Sequence, residues 1–217
     1  MATLETTARA AAHFAGTIRA KRETLQTLYY AAKNSWAEAQ ALKQRYAALP
    51  PLDFYTLRIG GDTDQGHSTL LDAQKAAEAT AQDSAAAFII ICDYSLQRLR
   101  TEGETPDTRT LGADAYNGVK LNRAIWALAN QARHLHEWQQ NDWDEKSYEV
   151  LVTLDLFPTY HDAARLFLEK LNLQSYIDFE ERLTKTALDV LKVTGLELTR
   201  TGPGIVTLTM KGEPPPP

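Results

Sequence analysis

One cysteine in 217 residues, Cys92, excludes an internal disulfide and points to a reducing compartment. It follows directly on the apolar run Ala85-Ala86-Ala87-Phe88-Ile89-Ile90-Ile91, which assigns it the part of a buried core thiol. No stretch comes near the ~18 apolar residues of a membrane span. The polar start lacks the apolar segment of a signal peptide. A cytoplasmic protein that does not engage a membrane is the expectation. An excess of basic residues is missing too. The formal net charge is -5, whereas a generic nucleic-acid binder is usually basic. That argues against broad nucleic-acid binding but leaves a local basic patch open. The first fifty residues carry Arg9, Arg19, Lys21, Arg22, Lys33, Lys43 and Arg45 against only Glu5, Glu23 and Glu38, and residues 101–150 lean the opposite way.

A hydrophobic share of 44% and a charged share of 24% are ordinary for a globular chain, so one self-sufficient core is expected. Proline is absent from Leu4 to Leu49, and Gly16 is the only glycine there. Phe14, Ile18, Leu25, Leu28, Ala32, Trp36, Ala39, Leu42, Tyr46 and Leu49 recur in steps that are nearly all three or four. The spacing predicts one long amphipathic helix, bent near Gly16 and ended by Pro50-Pro51. Residues 52–67 read as a connector: Leu52 to Ile59 suits a short strand, and Gly60-Gly61-Asp62 and Gly66 suit turns. Ser68 is the expected N-cap of a second long helix reaching about Arg100. Its seam is Leu70, Ala73, Ala77, Ala81, Ala85, Phe88, Cys92, Leu96 and Leu99. An antiparallel pair is the natural way to bury both stripes.

Residues 101–113 read as a polar loop, and a third helix is expected from about Asp114 to Gln140. Residues 148–157 are ambiguous between strand and helix. Shorter helices are expected near His161–Leu171 and Ser175–Val193, with Gly195 placed like a C-cap. Leu196–Thr201 and Ile205–Met210 alternate around Gly202-Pro203-Gly204, a hairpin signal. The expected architecture is therefore an all-α bundle with two long antiparallel helices, a polar-striped third helix, shorter C-terminal helices and a small C-terminal β-hairpin. Residues 1–195 form the helical domain, 196–212 the appended hairpin, and 213–217 a disordered proline tail.

The third helix carries the candidate chemistry. On a helical wheel Leu121, Ile125, Leu128, Ala132 and Leu135 face one way. Arg123, Trp126, Asn130, Arg133, His134 and Glu137 gather roughly opposite, and His136 falls between. Steps of seven, four and three would stack Arg123, Asn130, His134 and Glu137 on one stripe. His134 supplies an imidazole, the side chain best suited to proton transfer. Arg123 or Arg133 suits a phosphate. Glu137 would orient the imidazole or pair with Arg133. The same pattern also describes an ordinary solvated face, or a protein-binding stripe flanked by Trp126 and Trp138.

Long antiparallel helices followed by a helix bearing Asn130, Arg133 and His134 resemble the HEPN superfamily, over roughly residues 4–140. The resemblance implies a homodimer with the polar stripe at the dimer cleft, in a bacterial toxin–antitoxin or anti-phage setting. Active members cut RNA without a metal through an Arg-polar-x-x-x-His motif. Here Ala129 stands where that arginine would, so Asn130 and His134 alone carry over, with Arg123 or Arg133 as substitute cation. The implied reaction is attack by the 2′-hydroxyl, leaving a cyclic phosphate and needing no cofactor. An inactive relative fits as well. A different class, a non-catalytic adaptor or scaffold closing its long helices on a partner, also stays open.

Other sites are weaker. His134, Glu137 and His161 suggest a metal, but the paired Glu-x-x-His elements of helical metal sites are missing. Gly60-Gly61-Asp62 lacks the Lys-Ser/Thr of a phosphate loop, and no serine sits in a nucleophile elbow.

Overall fold

The computed structural model describes residues 4–49, 62–104, 107–135, 137, 144–157, 162–202 and 205–210, with backbone alone at 4, over 62–66 and from 197 onward. Apolar steps of three and four dominate the chain, and its described part is accordingly built from seven α-helices. The Leu52–Ile59 segment, His136, Trp138, His161 and the proline tail lie outside the described residues.

The first periodic stretch is two helices, α1 (Leu4–Ala20) and α2 (Arg22–Ala47). The bend falls at Lys21, not Gly16. Lys21 leaves helical geometry at φ -90°, ψ 6°, while Lys21 N still donates to Thr17 O at 3.0 Å and Leu25 N to Lys21 O at 2.9 Å. The kink redirects α1 so that it packs on both α3 and α7. The second long helix, α3 (Asp62–Gly103), starts six residues before the expected Ser68 cap and runs past Arg100. It takes in Gly66 as an ordinary helical residue. The ring of Tyr29 meets Phe88 at 5.8 Å and that of Tyr46 meets His67 at 5.6 Å, so α2 and α3 run antiparallel.

The expected loop over 101–113 ends in a short 3-10 turn, Thr108–Thr110, capped by the Asp107 side chain. The third helix, α4 (Leu121–Arg133), is half the expected length. Its first seven expected residues form a tight reversal instead. Asn117 and Gly118 both have positive φ (53° and 73°), Ala115 N donates to Val119 O at 2.8 Å, and Asp114 bridges Lys120. Asn-Gly favours this left-handed pair. The ambiguous 148–157 stretch is helical as far as Thr153, in α5 (Glu145–Thr153), because Asp144 caps Ser147 N. Then come α6 (Ala163–Lys170) and α7 (Tyr176–Val193). Ser175 and Asp178 form a reciprocal capping box on α7, and Gly195 ends it at φ 81°. The backbone then runs as two antiparallel strands, β1 (Leu196–Gly202) and β2 (Ile205–Met210), with Leu196 opposite Met210.

The core gathers Phe14, Ile18, Tyr29, Phe88, Ile125, Phe167, Tyr176 and Phe179 from six helices. Cys92 is fully buried there, and burial pushes its thiol pKa up, as suits an inert core residue. Arg22 ties α2 to α7 through Glu180 at 2.6 and 2.9 Å. Asn122, buried in α4, donates from Nδ2 to Thr108 O and Leu111 O, each at 2.9 Å, and its Oδ1 accepts from Thr186 Oγ1 at 3.2 Å. Gly112 closes this knot at φ 89°; a Cβ there would meet Thr186 Oγ1 at 2.7 Å and Asn122 Nδ2 at 2.9 Å. No described helix is long and apolar enough to cross a membrane.

Candidate functional site

The length of α4 decides which polar residues can meet. Leu121, Ala124, Ile125, Ala127, Leu128 and Ala129 are buried on it, and so are Asn122 and Gln131. The helix stops at Arg133. His134 is its C-cap, with φ -112°, ψ 29° and its N–H on Asn130 O. The stripe expected from Arg123 to Glu137 therefore does not continue as one helical face.

Its members separate into four local arrangements. Asn130 Nδ2 donates to Ser147 Oγ at 3.1 Å, and Ser147 Oγ donates to the Asp144 cap at 2.7 Å, so this amide belongs to the α4–α5 contact. Arg133 pairs with Asp93 of α3, not with Glu137 as its i,i+4 spacing suggests. Asp93 is only 2% exposed and also accepts from Gln97 Nε2 at 2.6 Å. Burial raises its carboxyl pKa above the usual aspartate range, against the pull of Arg133 and Gln97. His134 Nδ1 lies 3.1 Å from Glu137 Oε2, with their side chains 46% and 42% exposed. This is a solvent-facing imidazole oriented by a carboxylate.

Arg123 stands at the opposite end of α4. Eleven residues at ~1.5 Å each put it about 16 Å along the axis from His134, too far for both to hold one phosphate. It lines a separate cavity with Lys120, Arg109 and Glu149. Trp126, expected on the same stripe, lies under the Arg109 guanidinium at 4.7 Å.

Several polar residues important to the geometry were not singled out by the stripe. Asp93 lies in helical step with Ile89 and Leu96, both buried, so the wheel alone marks it as a carboxylate needing a partner. Asn122 is likewise in step with Ile125 and Ala129. Arg165 gave no such signal: it is 5% exposed, paired with Asp162 and Glu169, and stacked 3.5 Å over Trp36. Among the described residues no group of three His, Cys, Asp or Glu side chains is placed to hold a metal. No family model matches the chain, and neither a curated protein nor a solved structure is similar enough to it to count as a match.

Proposed function

We propose that the chain is a HEPN-like helical protein of the non-cleaving kind, which binds a partner in a bacterial toxin–antitoxin or anti-phage system. The observation that carries this reading over catalysis is the engagement of Arg133 by the buried Asp93 carboxylate. The cation nearest His134 in sequence is thereby committed to a contact between α3 and α4. Arg123 is too distant to replace it. On this reading the protein acts in the cytoplasm as a homodimer or adaptor through its long helices, with the C-terminal hairpin an appendage of the helical domain. RNA is then at most a ligand.

A second reading, a metal-independent RNase, has one observation in its favour. The His134–Glu137 pair is an imidazole–carboxylate arrangement that suits general acid–base work. In it Asn130 would orient the substrate, and an arginine would hold the phosphate.

One experiment separates the two: a labelled RNA mixture incubated in EDTA with the wild type and His134→Ala side by side. We expect no cutting by either. Cutting by wild type alone, with cyclic-phosphate ends, would overturn the non-cleaving reading and put the chemistry at the end of α4.

A further inference from the structure

The cavity at the start of α4 has a charge balance opposite to that of the whole chain. It has a volume of about 350 Å³ and lies between the Asn117–Gly118 turn, the 3-10 turn, the N-terminal end of α4 and α5. Arg109, Lys120 and Arg123 line it against a single acid, Glu149, in a protein of formal net charge -5.

The three cations differ in how they are held. Arg109 is fixed from two sides: its Nε lies 2.7 Å from both Asp107 oxygens, and its guanidinium lies over the Trp126 ring at 4.7 Å. Lys120 Nζ rests 2.7 Å from Asp114 Oδ1. Arg123 is exposed, and no described residue forms an ion pair with it. An exposed arginine needs no partner, but this one shares a concave wall with two anchored cations. A guanidinium fork in that setting is suited to bidentate contact with a phosphate.

The cavity falls within the size range of small-molecule sites. A nucleic-acid strand would want a continuous basic track, whereas this cavity gathers three cations around one concave wall. Glu149, across from the cations, would repel a second phosphate but accept a hydrogen bond from a hydroxyl. We propose that this cavity binds a small phosphate monoester of a hydroxylated compound, of mononucleotide or sugar phosphate size. The phosphate lies against Arg123 with Arg109 and Lys120 beside it, and Glu149 takes a hydroxyl of the organic part. The inference is independent of His134 and of whether the protein cuts RNA.

The test is calorimetric titration of the full chain with adenosine 5′-monophosphate, ribose 5-phosphate, adenosine and a short single-stranded RNA. Saturable binding of at least one ester, with none of adenosine, is expected. Arg123→Ala should weaken it at least about tenfold, Arg123→Lys should recover part, and His134→Ala should bind as wild type. Because Arg123 is exposed and outside any described ion pair, its alanine variant should melt as wild type. The proposal is overturned if neither ester binds at millimolar concentration, if adenosine binds as well as its phosphate, or if Arg123→Ala binds unchanged. It is equally overturned if RNA binds through Arg123 more tightly than either ester, which would assign the cavity to a chain phosphate.

Discussion

The helices α2 and α3 enter two different environments along their length. From Arg22 to about Trp36 on α2, and from about Gln82 to Gly103 on α3, they form part of a base in which other helices cover them. Beyond that they continue as a two-helix arm. There α2 runs on for about 16 Å and α3 for about 30 Å at ~1.5 Å per residue. In the base Tyr29, Phe88, Ile89, Cys92 and Leu96 are buried; among the described residues of the arm, Ala39, Ala77 and Ala81 are. Small residues allow the helices to approach closely, but they remove little apolar surface from water. The pairing is continuous while its stability is graded, strong where a third layer of described helices covers it and thinner where small residues line the seam.

The largest test of that contrast is Phe88→Ala. Phe88 contacts the rings of Tyr29, Tyr176 and Phe179, so the variant should lose about 3–5 kcal/mol of stability in urea melts, with all probes moving together. A smaller effect is expected of Ala39→Glu, which puts a carboxylate in the arm seam. Hydrogen exchange should quicken in residues 37–47 and 67–80, while the global unfolding free energy read from urea melts falls by about 1 kcal/mol or less. If this change costs as much as Phe88→Ala, arm and base are one cooperative unit and the contrast fails. The smallest effect belongs to Asp93→Asn, at the base end of α3. Asp93 has its pKa raised by burial, so its stabilising contribution is full below the ordinary aspartate value near 4 and lost as pH rises through the folded value. The asparagine variant should therefore match wild type in acid and gain on it as pH rises, read from midpoints across that range.

How far these regions were legible in the sequence depended on how local their causes are. The seam of α3, Ala77 to Leu99, could be read from spacing alone because each buried residue recurs at the helical period. The last helix was placed to within a residue at either end, since Ser175 and Gly195 punctuate it through their own backbone chemistry. The third helix was drawn twice too long. Asn117-Gly118 was passed over as a left-handed turn, and nothing local announces that α4 ends at Arg133. The site suffered most from that error, because a stripe from Arg123 to Glu137 exists only on an uninterrupted helix. The Arg133–Asp93 pair joins residues forty positions apart, and such partners are set by packing rather than by spacing.

The kink at Lys21 bears on how the molecule is made. It turns α1 so that Phe14 and Ile18 are buried between α3 and α7, and Arg22 beside it reaches Glu180, 158 positions away. During synthesis the first helix thus emerges long before the helix that completes its cover. The α2–α3 pair joins across a short separation and is free to form early, since closing a short loop costs little entropy. Docking of α1 must wait for α7, so a segment made well before its cover is among the last to find its place.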